Sequence, residues 1–198
     1  QCPLTARRTR TRATCRRLRR PLGRAPVGVN VRLHKGTLME HIAFQDQSYS
    51  RGNCCWVCGN DNPRGLYIKS YWDGAESICD WRAEAHQSAG WPHVLNGGII
   101  SGLIDCHCVL TAFAAYYKDK PLAERHNPPH WFATASLKVD FLRPTPLDKP
   151  VHLRAQVKDM QERKVLLTCS LFSNGEECAR GEVLAVRVPA RTGPRQQS

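Results

Sequence analysis

The stretch from Gly97 to Tyr117 decides the fold, and it reads GGIISGLIDCHCVLTAFAAYY. Apolar residues occupy nearly every side of the helix that this run predicts, so no wide polar face remains for solvent. Such a helix has to be wrapped by other elements. Asp105 and His107 lie within it, which favours a core helix over a membrane span, and we expect no membrane partner.

Strand patterns flank this helix on both sides. Residues 65–71 and 75–85 predict an antiparallel pair before it. Four more strands are predicted after it, at residues 132–142, 151–158, 165–172 and 179–188. The last two are joined by a hairpin turn at Asn174-Gly175. We therefore predict an α+β hotdog fold, in which a curved antiparallel β-sheet wraps around one long central α-helix.

The positive charge is concentrated in the first 38 residues, which precede the first acidic residue, Glu40. Ten arginines and Lys35 lie there, and removing these 11 from the 29 basic residues leaves 18 against 17 acidic ones. The globular part is therefore nearly neutral, which argues against a nucleic-acid partner. We predict a disordered basic tail at 1–38, a hotdog domain at 39–190 and a disordered C-terminus at 191–198.

The basic tail has three competing interpretations. It is Arg-rich and acid-free, as organelle transit peptides are. It also has the composition of a nucleic-acid-binding arm. The third interpretation is an extension with no role. Several of the ten cysteines, among them Cys79, Cys106 and Cys169, lie in apolar helix or strand patterns, where free thiols are usual. We therefore expect a reducing compartment, the cytoplasm, with import into an organelle as the alternative.

Asp105 and the start of its helix are the candidate catalytic elements. A carboxylate in an apolar helix is costly unless it has a purpose or a partner, and Ser101, one turn earlier, is the nearest partner in sequence. Asn96 is a good N-cap, and Gly97 and Gly98 expose first-turn amides that suit an oxyanion. A tight loop entry explains the glycines equally well.

The spacing along the helix separates these two elements. Gly98 and Asp105 are seven residues apart, which is about 10 Å along a helix axis. This is too far for both to act on one carbonyl within one chain. A two-fold dimer places the carboxylate of one subunit opposite the helix start of the other. We expect a homodimer or a dimer of dimers.

Three stretches resemble the PaaI-like hotdog thioesterases of the phenylacetate pathway. They are residues 55–66 (CWVCGNDNPRGL), residues 90–100 (GWPHVLNGGII) followed by Asp105, and residues 139–144 (VDFLRP). The resemblance runs in order through residues 54–188. It implies an acyl-CoA thioesterase without metal or redox cofactor, in which Asp105 is general base or nucleophile. The amides of Gly97 and Gly98 would form the oxyanion hole.

One departure from the family pattern concerns Asn96, which stands where the family carries histidine. Asparagine can donate a hydrogen bond but cannot take up a proton, which predicts weaker activity or an unusual substrate. A non-catalytic acyl-CoA-binding hotdog protein is therefore the alternative function. A hotdog dehydratase ranks third, because it would need the missing histidine.

Further side chains are candidates for substrate or metal. Arg143, held by Pro144, is the first candidate for coenzyme A phosphate, and Lys164 at a turn before a late strand is the second. Ser101 and His93 are further substrate-binding candidates. Cys54, Cys55 and Cys58 suggest a zinc site, but a single Cys-x-x-Cys pair supplies two ligands and no second pair follows. His86 or His93 would complete the site only if folding placed them there. We therefore predict no metal.

Overall fold

The computed structural model describes residues 42–47 and 52–190. Their helices and strands are β1 (Ser70–Asp73), β2 (Glu76–Arg82), α1 (Gly97–Tyr117), α2 (Leu122–His126), β3 (His130–Phe141), β4 (Pro150–Met160), β5 (Lys164–Ser173) and β6 (Glu176–Pro189). Single 3₁₀ turns lie at Phe44–Asp46 and Ala85–Gln87. The predicted tail at 1–38, the domain start at 39 and the predicted C-terminal segment at 191–198 lie outside the described residues.

The six strands form one antiparallel sheet in the order β1-β2-β4-β5-β6-β3. The predicted hairpin between β5 and β6 is confirmed, since Asn174 and Gly175 both have positive φ angles, of 52° and 81°. This left-handed pair is what a tight two-residue hairpin requires. β3 crosses to the far edge and pairs with β6, so strands that are neighbours in sequence are not always neighbours in space.

The helix α1 packs against the sheet with its long apolar surface. It contacts β1, β3, β4, β5 and β6, as a helix wrapped by a sheet must. The sheet offers alternate apolar residues to it; those buried on β4, β5 and β6 include Val151, Leu153, Val165, Leu167, Leu171, Ala179 and Val183. By length and composition α1 could cross a membrane, but 61% of its apolar 18-residue stretch is buried inside the fold. Its apolar character is therefore explained by packing against the sheet.

Helix and sheet approach each other closely at Gly181 of β6. A Cβ added there would lie 2.4 Å from the Cγ2 atom of Ile104, a separation that real Cβ atoms do not show. Gly181 and Ile104 are both buried. Glycine at this strand position is therefore explained by close packing and not by a turn.

A buried polar network on the side of α1 that faces away from Asp105 involves His107. Its Nδ1 atom lies 2.9 Å from the Ser70 hydroxyl, and its Nε2 atom lies 3.2 Å from the Ser77 hydroxyl. Burial lowers the pKa of His107 to about 4, so the ring is neutral near pH 7. His107 therefore packs between α1 and the strands β1 and β2.

Some predicted element boundaries were wrong. The strand predicted at 65–71 begins only at Ser70, because the preceding residues bond elsewhere: Leu66 N–H donates to Trp56 O (2.9 Å) and Ile68 N–H to Val57 O (3.4 Å). The turn between β1 and β2 lies at residues 74–75, because Trp72 and Asp73 belong to β1. The short helix α2 was not predicted.

The strand β3 is a long edge of the sheet. Its burial pattern shows Ala133 to Lys138 exposed, although the sequence alternates as a half-buried strand would. Leu137 and Phe141 are 37% and 55% exposed. A twelve-residue edge strand with exposed apolar side chains is a surface suited to pairing with another strand.

Candidate active site

The start of α1 is held in place by the loop before it. Leu95 N–H donates to Thr145 O (2.9 Å) and Asn96 N–H to Gln87 O (3.1 Å), so the chain enters the helix at a defined angle. Asn96 is the N-cap, as predicted, and its Oδ1 atom accepts the N–H of Gly98 at 2.8 Å. This is the usual capping bond of an asparagine at this position.

The cap separates the roles of Gly97 and Gly98. The N–H of Gly98 is already bonded to Asn96, whereas no acceptor among the described residues bonds to the N–H of Gly97. A Cβ added to Gly97 would lie 3.3 Å from the ring of Phe141, so that ring stands beside the helix start. In this arrangement Gly97 is the amide free to donate to a ligand oxygen.

Asp105 lies half-buried in the middle of α1 beneath the edge strand β3. Its carboxylate accepts a hydrogen bond from the hydroxyl of Thr134. Burial raises the pKa of Asp105 above its ordinary value, the bond from Thr134 opposes that effect, and the nearby Cys55 adds to it. A carboxylate that is partly desolvated and yet accessible has the character of a general base.

Thr134 was not predicted as a site residue. Ser101, the partner proposed from sequence, instead donates its hydroxyl to Gly97 O at 2.9 Å. The available signal was that Thr134 belongs to the polar register of the alternating strand 132–142. The register alone does not say which helix residue lies opposite.

The predicted binding residues lie at different ends of the sheet. Arg143 follows Phe141 at the helix-start end and forms an ion pair with Glu176. Lys164 begins β5 at the opposite end, about 30 Å along the strand from Ser173, the partner of Glu176. Arg143 and Lys164 are therefore not brought together within one chain. His93 is exposed in the loop before α1, with a positive φ of 68°.

Two further features were not predicted. A cleft of about 400 Å³ is lined by segments 63–67 and 81–87, and neither Asp105 nor Gly97 lines it. The second feature is a group of three thiols, in which Cys106 of α1 joins Cys55 and Cys58 with all sulfur atoms within 4.8 Å of one another. Neither His86 nor His93 belongs to this group.

Solved structures with the same fold include several that are described as thioesterases. A thioesterase superfamily protein from Shewanella loihica is 34% identical, matching 62% of this chain and 91% of its own, with a TM-score of 0.51. A thioesterase from Haemophilus influenzae is 13% identical; the match covers 69% of this chain and 88% of the Haemophilus chain, with a TM-score of 0.54. The PaaI protein from the phenylacetic acid degradation operon of E. coli is 15% identical; the match covers 63% of this chain and 82% of the E. coli chain, with a TM-score of 0.50.

No protein-family model matches the sequence, and no curated protein does so. The Shewanella protein is covered nearly throughout at 34% identity, while the two more distant structures share the fold. The chain therefore belongs to the thioesterase superfamily. The predicted family and the predicted hotdog fold are both confirmed.

Proposed function

We propose that this protein is an acyl-CoA thioesterase, which hydrolyses the thioester to a free acid and coenzyme A. The observation that carries the proposal is Asp105: a half-buried carboxylate on the central helix of a thioesterase-superfamily fold, bonded to Thr134 and still accessible. Such a group can remove a proton from water beside a bound thioester.

The proposed reaction uses two groups, the carboxylate of Asp105 and the N–H of Gly97. Asp105 takes a proton as the water oxygen bonds to the carbonyl carbon. Negative charge develops on the carbonyl oxygen. This oxygen accepts a hydrogen bond from the N–H of Gly97, at the positive end of the helix dipole. The carbon–sulfur bond then breaks as the carbonyl re-forms, and coenzyme A leaves as a thiolate. The proton held by Asp105 passes to that thiolate through solvent, which restores the carboxylate. Arg143, on the same side as Gly97, is the residue that we assign to a phosphate of coenzyme A.

Thiol release from acyl-CoAs tests the proposal. Short-chain, long-chain and aromatic acyl-CoAs are each incubated with the full chain, and free thiol is followed over time. We expect release of coenzyme A from at least one class, because nothing in the proposed chemistry depends on the acyl group. Tight binding without thiol release would contradict the proposal and favour the acyl-CoA-binding alternative, which Asn96 in place of histidine keeps open.

A homodimer is part of the same proposal. Along the axis of α1, Asp105 and Gly97 are about 12 Å apart, so one chain cannot bring both to one carbonyl. Asp105 lies under Thr134 of β3, and Gly97 lies against Phe141 of the same strand. If two β3 strands pair antiparallel about an axis between Leu137 and Lys138, the Thr134 end of one lies opposite the Phe141 end of the other. Each site then contains Asp105 from one subunit and Gly97 from its partner.

Subunit complementation tests this composite site. One chain carries Asp105→Asn, the other carries Gly97→Val, and the heterodimer is purified through two different tags. Each homodimer of a variant is expected to be inactive, whereas the heterodimer retains one intact site of two and about half the wild-type activity.

The matched control places both substitutions in one chain and pairs it with a wild-type chain. A composite site predicts no activity for this second heterodimer, since each of its sites lacks one element. A site contained within one chain predicts the reverse pattern, with activity only in the control, and that result would exclude the shared site. Circular dichroism of every pair verifies folding.

A further inference from the structure

Three thiols meet where the loop of residues 53–61 packs on α1. The sulfur atoms of Cys55 and Cys106 are 3.6 Å apart, and that of Cys58 lies within 4.8 Å of both. Cys58 is buried, while Cys55 and Cys106 are partly exposed, so ions and water can reach the group. Cys54 is adjacent in sequence and exposed, and it does not belong to the cluster.

The loop is shaped so that Cys55 and Cys58 face the same point. Gly59 N–H donates to Cys55 O (3.0 Å) and Asp61 N–H to Asn53 O (3.1 Å), which closes the turn. A Cβ on Gly59 would lie 2.4 Å from the backbone nitrogen of Cys55, so only glycine fits. A Cys-x-x-Cys turn closed by glycine is a common way to present two sulfur ligands.

Hydrogen-bond donors surround the sulfur of Cys55. The thiol of Cys106, 3.6 Å away, the thiol of Cys58 and the N–H groups of Cys58 and Val57 all hydrogen-bond to that sulfur. The amide of Asn53 also approaches the sulfur of Cys58 at 3.7 Å. Donors of this kind stabilise a thiolate, which is the form that binds a metal ion.

The sulfur spacing matches a tetrahedral metal centre. Zinc–sulfur bonds of about 2.3 Å place neighbouring ligands of a tetrahedron about 3.8 Å apart, close to the 3.6 Å between Cys55 and Cys106. A disulfide would need a sulfur separation of about 2.05 Å and would leave the third thiol alone. We propose that Cys55, Cys58 and Cys106 bind one zinc ion as thiolates, with the fourth position open to solvent.

Such an ion would fasten the loop to the central helix. Val57, between the two loop cysteines, already packs on Gly102 of α1, where a Cβ would meet its methyl group at 3.2 Å. Zinc adds a covalent link one turn further along, at Cys106. The ion would bind the folded chain and not the unfolded one, which raises stability. This inference does not depend on the thioesterase proposal.

The test is metal binding by the reduced full chain, with Co²⁺ as a spectroscopic probe and Zn²⁺ as competitor. We expect sulfur-to-cobalt charge-transfer absorption that saturates at one ion per chain and disappears when Zn²⁺ displaces Co²⁺. Cys106→Ser should weaken Co²⁺ and Zn²⁺ binding by at least about 10-fold. Cys54→Ser, the matched control beside the cluster, should bind as the wild type does.

Thermal unfolding gives an independent measurement. A fixed excess of Zn²⁺ should raise the Tm of wild type and Cys54→Ser, and should raise that of Cys106→Ser clearly less. If Cys106→Ser does not fold, Cys55→Ser in the loop replaces it. Absence of the charge-transfer band in the reduced wild type, or a band that survives the loss of Cys106 and of Cys55, would overturn the proposal.

Discussion

Replacing Asp105 with asparagine is expected to lower kcat for acyl-CoA hydrolysis by about 10²–10⁴-fold, the range that general base catalysis contributes. The amide has nearly the same shape and can still accept the hydrogen bond from Thr134, but it cannot take a proton from water. KM should change little, because the substitution removes a group that acts in the transition state and not in binding. Steady-state thiol release with the best substrate of the acyl-CoA panel measures both constants.

The matched control is Asp148→Asn. Asp148 is an exposed carboxylate outside β3 and pairs with the neighbouring Lys149 at 3.3 Å. We expect its replacement to leave kcat within a factor of about two, since exposed ion pairs contribute little. Equal losses in both variants would point to a general effect on folding, and full activity of Asp105→Asn would contradict the assigned role.

Replacing Gly181 with alanine is expected to lower the free energy of unfolding by about 1–3 kcal/mol, or more. The added methyl group would occupy space held by Ile104 of α1, at 2.4 Å. Gly181 lies on β6 between β5 and β3, so the sheet cannot move away from the helix at this point without disturbing both pairings. Urea denaturation, followed by circular dichroism, measures the change.

Two comparisons make this result specific. Gly90→Ala adds the same methyl group where nothing lies within 4 Å, and it should change stability by less than about 0.5 kcal/mol. Ile104→Ala removes the atom that the new methyl group meets. Combined with Gly181→Ala, it should cost less than the sum of the two single changes. Additive losses would show that Gly181 and Ile104 do not compete for the same space.

The predictability of the site differs from residue to residue. Asp105 was found because a carboxylate in an apolar helix is expensive, and Asn96 because capping is a local property of the chain. The hydroxyl that bonds to Asp105 was missed, because Thr134 is 29 residues away and its position depends on which strand lies beside the helix. Cys106 was interpreted as a core residue for the same reason: its sulfur meets Cys55 across 51 residues of chain.

Strand order was the largest feature of the fold that local patterns did not contain. β2 pairs with β4, and β3 crosses to the edge beside β6, although each of these strands was recognisable by its alternation. Alternation reports which faces of a strand are apolar and says nothing about its neighbours. On β3 the apolar residues Leu137 and Phe141 remain exposed in the single chain, and we therefore assign the proposed dimer contact to that strand.

The sequence by itself determined the elements: a helix apolar on nearly all sides, a set of alternating strands, a hairpin at Asn174-Gly175, and a capped helix start followed by Asp105. These follow from interactions within a few residues, namely periodicity, capping and turn conformation. Only the tertiary structure decided which elements meet. It placed Thr134 over Asp105, Cys106 beside Cys55 and Cys58, and Gly181 under Ile104. Those contacts join distant parts of the chain, and only close packing of the whole sheet around the helix specifies them.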